Sequence, residues 1–251
     1  MLYVAFIFSI LCSVGLPILA IILFVKFNSG TGKAIVFGVL AFFISQILLR
    51  APLLQVLGSI WPTYATWLNN PNFMYCLFLG ITAGLFEEGA RYLFMVIFLK
   101  KQRTDVDGIA FGIGHGGIEA ILLVGINAII IFLSLVLGSG GIYQTISATG
   151  VFLGGGERIF AMIFHVAWSL MVMKSIQQKK LILLFAAFLS HAFLDTVVVY
   201  MVIVGLNVFA IESLLAVFTI FPVLYIVFVC RKDKKENPQI FKRIEEEYGN
   251  E

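Results

Sequence analysis

The chain has 251 residues, 61% of them hydrophobic and 12% charged, with a formal net charge of +3 and a mean hydropathy of +1.03. These values exclude an ordinary soluble domain. In hydrocarbon every backbone N–H and C=O needs an internal partner, which leaves helices or a closed barrel, and apolar runs longer than about 17 residues without strict alternation select helices.

Reading from the start, MLYVAF has no basic n-region and its apolar run continues to Val25, which predicts a retained first span and not a cleaved signal peptide. Runs between charged or turn-rich breaks predict seven spans, at 2–25, 34–56, 73–99, 108–137, 157–174, 181–205 and 207–230. Pro52, Pro62 and Pro71 with Trp61 and Trp67 mark the second connection as an interfacial segment with a short surface helix. Residues 1–230 therefore read as one all-α transmembrane domain, and 231–251 as a polar tail. Cys12, Cys76 and Cys230 are few, far apart and set in or beside apolar runs, so they read as small apolar residues without a disulfide framework.

The basic residues alternate with the spans. Lys26 and Lys33, then Lys100, Lys101 and Arg103, then Lys174, Lys179 and Lys180, and finally Arg231, Lys232, Lys234 and Lys235 fall at every second connection and the tail. Arg50 edges the second connection and Arg158 ends the fourth. This alternation predicts an outside N-terminus and a cytoplasmic C-terminus, and it makes the charges topology signals and not a nucleic-acid footprint.

Inside the spans stand Glu87, Glu88 and Arg91 on the third, His115, Glu119 and Asn127 on the fourth, His165 on the fifth, and His191 and Asp195 on the sixth. An ionisable group at mid-bilayer costs about 2.5–3.5 kcal/mol on insertion scales, so such groups are rare and are usually paired or functional. Spacings of three and four residues put Glu87, Glu88 and Arg91 on one helix face, and likewise His115 with Glu119 and His191 with Asp195. At about 1.5 Å per residue the groups lie roughly 12–22 Å from the basic end of their spans, one slab in a core of roughly 30 Å. Gly108, Gly112, Gly114, Gly116 and Gly117 surround His115, where they either open a cavity or let helices pack closely.

Histidine and carboxylate are the ligand types of catalytic zinc, with a further carboxylate available as general base. Singly, each of these residues also reads as a helix–helix hydrogen-bond partner, and Arg91 with its glutamates as an internal ion pair. Asn127 reads as a packing amide, Glu157, Arg158 and Glu212 as interfacial groups, and Ser169 as a weak nucleophile candidate.

EEGAR (Glu87, Glu88, Arg91), HGGIE (His115, Glu119), FH (Phe164, His165) and HAFLD (His191, Asp195), in that order over residues 73–205, resemble the intramembrane CAAX-protease and bacteriocin-processing superfamily, and within it the PrsW and YhfC branches. The resemblance implies a Glu pair, Glu87 or Glu88, that activates water, with Arg91 as the basic end of the motif. It matches His165 to the histidine of the central motif, His191 with Asp195 to the last motif and Glu119 to a glutamate of the PrsW branch, while His115 lies outside the general pattern; we expect His165, His191 and either Glu119 or Asp195 as ligands or transition-state stabilisers, with His115 as a fourth ligand candidate. The last motif carries Asp195 where CAAX proteases usually carry Asn, and EExxxR is shortened here to EExxR.

The expectation is an intramembrane metallopeptidase that uses one divalent metal, zinc, on a membrane-associated protein or peptide. Two other classes use the same buried groups: a proton- or cation-coupled transporter, and a non-catalytic scaffold or immunity protein.

Overall fold

The computed structural model describes residues 1–138 and 146–236. Among them there is no strand, and seven helices are long and apolar enough to cross a membrane. We number the helices α1 (Leu2–Phe27), α2 (Gly32–Ile60), α3 (Pro62–Asn69), α4 (Phe73–Phe98), α5 (Asp105–Val136), α6 (Ala148–Gln178), α7 (Leu181–Ile203) and α8 (Val208–Glu236). The protein is a multi-pass membrane protein.

The expected short surface helix is α3, which stays outside the spans and presents Trp61, Tyr64 and Trp67 to Phe78 of α4, with ring centroids 5.2–6.1 Å apart. Amphipathic aromatic rings of this kind settle where apolar and aqueous phases meet. Three spans contain wide π turns, at Leu11–Gly15, Phe43–Arg50 and Ile121–Gly125. Two of these are followed within two residues by proline, Pro17 and Pro52, whose missing N–H breaks the regular ladder.

One span begins earlier than its sequence predicts. The glycines at 154–156 read as a break, but Ser147 caps the helix by accepting from Gly150 N–H, and α6 runs through them. Gly155 is needed inside the helix, because a Cβ there would stand 2.5 Å from Ser9 Cα on α1. Arg158 consequently lies well inside α6 and is buried, not at an interfacial helix end. Arg50 likewise lies within α2. At the other end of the chain, α8 carries the start of the expected polar tail to Glu236, and 237–251 lie outside the described residues.

Close backbone approach positions α5 at the centre of the bundle. A Cβ on Gly114 would run into the Ile35 carbonyl of α2, and one on Gly38 of α2 into the Phe111 carbonyl of α5. A Cβ on Gly112 would stand 2.5 Å from Val166 Cα of α6. Contacts this close permit van der Waals and Cα–H···O attraction between backbones where water supplies no hydrophobic drive. Of the two uses expected of these glycines, close packing is the one that occurs: Gly116 accommodates the His165 ring, and none of the five lines the cavity beside His165.

Polar ties hold the basic connections together at one end. Gln102 donates to Gly30 O at 2.8 Å, Gln177 to Arg103 O at 2.9 Å, and Lys174 pairs with Asp105 at 2.6 Å. Cys12 and Cys76 are buried within their spans, as small apolar residues there are.

Gly38→Ala and Gly114→Ala are each expected to lower stability by about 1–3 kcal/mol through overpacking against backbone. Gly89→Ala, whose Cβ meets nothing within 4 Å, is expected to raise it by about 0.5–1 kcal/mol through helix propensity. Reversible unfolding in mixed detergent micelles distinguishes the two outcomes.

Candidate metal centre

Four helices bring the intramembrane polar groups into contact. Helix α4 supplies Glu87, Glu88 and Arg91, which are 5%, 1% and 0% exposed. The Arg91 fork donates to Glu88 Oε1 and, at 3.3 Å, to Glu87 Oε2. From α5, His115 Nε2 stands 3.0 Å from Glu87 Oε2. From α6, His165 places Nδ1 2.6 Å from Arg91 Nη2 and Nε2 2.7 Å from Glu119 Oε2. From α7, His191 places Nδ1 2.8 Å from Glu88 Oε1, and its Nε2 lies 3.9 Å from Glu87 Oε2 and 3.7 Å from Asp195 Oδ2.

Donor and acceptor inventories fix the tautomers. Arginine only donates, so His165 Nδ1 accepts and its proton sits on Nε2, facing the Glu119 carboxylate. An ionised carboxylate only accepts, so His191 carries its proton on Nδ1 toward Glu88 and turns the Nε2 lone pair away from it. By the same rule His115 donates from Nε2 to Glu87, which leaves Nδ1 buried without a hydrogen-bond partner among the described residues; to hold an ion through Nε2 the ring would carry its proton on Nδ1 instead.

A cavity of about 340 Å³ opens beside this cluster. Glu87, Glu119, His165, His191 and Asp195 line it, whereas Glu88, Arg91 and His115 stand behind that wall. The two adjacent glutamates, equivalent by sequence, are thus separated: Glu87 faces the cavity, and Glu88 is held between Arg91 and His191. Asp195 is half-buried and faces the cavity, its Oδ2 3.7 Å from His191 Nε2.

Glu87, His115 and His165 offer one ligand atom each, all within 4.8 Å of one another, and all three side chains are buried. One carboxylate oxygen and two imidazole nitrogens form a donor set suited to a divalent transition metal. The charges agree with it. Four carboxylates, Glu87, Glu88, Glu119 and Asp195, surround a centre in which Arg91 is the guanidinium in contact with the pair, while Arg158 divides its charge between Glu119 and Glu157. Such an excess of buried negative charge favours a further cation. Arg91 already donates to the single lone pair of His165 Nδ1, so an ion bound through that nitrogen would take the place of the Arg91 contact, while Glu87 has lone pairs enough for both.

Several groups at the site carry no motif of their own. Trp168 stacks on His191 with centroids 4.0 Å apart and planes at 5°, lies edge-on to His165 at 5.5 Å, and stands 5.8 Å from the Arg91 guanidinium carbon. Its position three residues after His165 on one helix face was the available signal. Arg158, two turns before His165, donates to Glu119 at 3.2 Å and lines the cavity beside Glu157; these two are walls of the site and not interfacial residues. Phe42 of α2 sets its ring edge-on to His115 at 5.3 Å. Other sequence candidates stand apart: Asn127 is exposed and bonds to Leu123 O in its own helix, and neither Ser169 nor Glu212 lines the cavity.

Helices, burial and donor set together define a multi-pass membrane protein with a buried His–carboxylate–guanidinium centre. The chain belongs to the YhfC intramembrane metalloprotease family, whose model matches residues 12–219. It is 29% identical over 233 residues to a Bacillus subtilis (strain 168) protein described as "Uncharacterized membrane protein YhfC", a match covering 84% of this chain and 90% of that protein. No solved structure matches the chain.

Removing the charge of Arg91 leaves Glu87 and Glu88 uncompensated in a buried site. Arg91→Met is expected to lower stability by about 3–5 kcal/mol, and Glu88→Gln in the same chain to restore part of it. Unfolding midpoints of the two single variants and the double variant in mixed micelles check this, and additive losses would contradict the pairing.

Proposed function

We propose that this protein is a membrane-embedded metallopeptidase that hydrolyses a peptide bond of a membrane-associated protein or peptide. Glu87, His115 and His165 would hold one divalent ion, zinc being the best match to two imidazoles and a carboxylate. The observation that carries the reading is the convergence of these three ligand atoms within 4.8 Å beside a cavity that Glu87 and His165 line, with His115 behind them. The order of EEGAR, HGGIE, FH and HAFLD along the helices supports kinship with the wider CAAX-protease superfamily, and the alternation of basic connections supports an outside N-terminus in a bacterial cytoplasmic membrane.

When bound, the ion supplies Lewis-acid polarisation and a water of lowered pKa. The acid–base work falls to His191. Glu88 holds its Nδ1 proton and Trp168 clamps the ring face, so the Nε2 lone pair is aimed at the cavity beside Glu87. There Nε2 takes the proton of the attacking water as the water oxygen bonds to the carbonyl carbon, and it returns that proton to the amide nitrogen as the C–N bond breaks. Glu88 at Nδ1 and Asp195 near Nε2 stabilise the imidazolium formed between these events. Glu119 orients His165 from the far side of its ring, as carboxylates behind metal-binding histidines do.

This assignment moves Glu87 from base to ligand and His191 from ligand to base, relative to the expectations drawn from the sequence. Proteome-wide sequencing of new peptide termini in membranes expressing the wild type, Glu87→Gln or His191→Ala tests it. Termini produced only by the wild type, and reduced about 10²- to 10⁴-fold in His191→Ala, are expected. The same termini at the same abundance in all three membranes would contradict the proposal.

A further inference from the structure

The cavity has a second polar end, on α2. Gln46 and Arg50 lie four residues apart in the π-helical segment Phe43–Arg50, and both line the cavity wall. Arg50 donates from Nε to Thr82 Oγ1 at 3.2 Å, from Nη1 to Gln46 Oε1 at 3.1 Å and from Nη2 to Leu79 O at 2.8 Å. All three acceptors are neutral. A guanidinium has five N–H donors, so one on each terminal nitrogen remains unused, and the positive charge meets no carboxylate within hydrogen-bonding distance among the described residues. Arg158, across the cavity, differs in being bound to both Glu119 and Glu157.

Gln46 adds an independent observation. Because Arg50 can only donate, the Gln46 amide must turn its oxygen toward it, which points the NH₂ group the other way. That nitrogen is buried and has no hydrogen-bond partner among the described residues. An unsatisfied buried donor beside a cation held only by neutral groups is a costly arrangement unless an acceptor arrives. Glu87 and Asp195 line the same cavity but make no hydrogen bond to Arg50 among the described residues, so its unused N–H groups and the Gln46 amide remain open to an anionic oxygen group.

Position separates this end from the reacting centre. Thr82 and Leu79, which hold the Arg50 fork, precede Glu87 on α4 by five and eight residues, about 7–12 Å along the helix axis. An extended peptide at about 3.3 Å per residue crosses that gap in two to four residues. A group bound at Arg50 therefore takes no part in bond breaking, and its recognition sets how the peptide lies across the site.

We infer that Arg50 and Gln46 form a subsite for a carboxylate of the peptide substrate, two to four residues from the bond that is cut. The inference rests on the peptidase reading for what the carboxylate belongs to, but the subsite is tested by binding alone. The carboxylate comes either from the chain terminus or from an acidic side chain, and the probe distinguishes these sources.

A dansylated apolar tetrapeptide is titrated against the full chain in detergent micelles, by fluorescence anisotropy, in three forms: the free acid, the C-terminal amide, and an amide carrying one glutamate. The wild type is expected to bind at least one carboxylate form about tenfold or more tighter than the plain amide, as a charge-assisted hydrogen bond implies. Preference for the free acid alone assigns the chain terminus; preference for the glutamate form assigns a side chain. Arg50→Gln and Gln46→Leu, checked for monodispersity and unchanged melting, are expected to reduce the preference, and Arg50→Lys to retain part of it. Equal affinity for all three forms, or a full preference surviving in Arg50→Gln, overturns the subsite. His191→Ala is expected to keep the preference without cleavage. If the wild type prefers carboxylates yet no Glu87-dependent cleavage of any protein is found, the subsite stands and the peptidase reading falls.

Discussion

Charge burial in a medium without water governs this molecule. Each of Glu87, Glu88 and Arg91 would be costly alone on a helix facing hydrocarbon, and their costs are offset only because α5, α6 and α7 deliver complementary groups to the same point. The pairing is specific. Glu88 takes Arg91 and His191, Glu87 takes His115 and the second arm of Arg91, and Glu119 takes His165 and Arg158. Each contact fixes a tautomer, and the tautomers decide which lone pairs face the cavity.

The glycines make that convergence possible. Charged side chains on different helices can satisfy one another only if the backbones come close, and α5 achieves this with Gly112 against α6, Gly114 against α2 and Gly116 against the His165 ring. Packing and chemistry are therefore linked through one segment, GIAFGIGHGGIEA. A side chain at Gly116 would push His165 away from Glu119 without touching a carboxylate. The aromatic groups act in the same sense: Trp168 occupies the face of His191 and the neighbourhood of Arg91, which limits the ring to the orientation that Glu88 selects.

Much of this was legible before any coordinates. Periodic apolar runs and alternating basic connections contained seven spans, and the three- and four-residue spacings contained the shared faces of Glu87, Glu88, Arg91, His115, Glu119, His191 and Asp195. What was not legible depends on how each helix is rotated against its neighbours. Sequence treats Glu87 and Glu88 alike, yet one faces the cavity and the other is enclosed. The start of α6 was hidden because three glycines resemble a turn when the approach of Ser9 is unseen. Arg158 and Arg50 read as span edges for a related reason: a lone arginine in an apolar run carries no mark of the partner that will hold it. Trp168 resembles other large apolar residues, and its place three residues after His165 puts it on the right face without showing that it stacks on His191.

In the proposed site Glu87, His115 and His165 hold the cation and His191 lies outside it. Metal content per chain, measured by mass spectrometry on purified wild type, His115→Ala, His165→Ala and His191→Ala, tests this most directly. That arrangement predicts about one equivalent of a divalent transition metal in the wild type and in His191→Ala, and a loss of most of it in the other two variants. A wild type without bound metal, or metal lost from His191→Ala but retained in His115→Ala and His165→Ala, would contradict it.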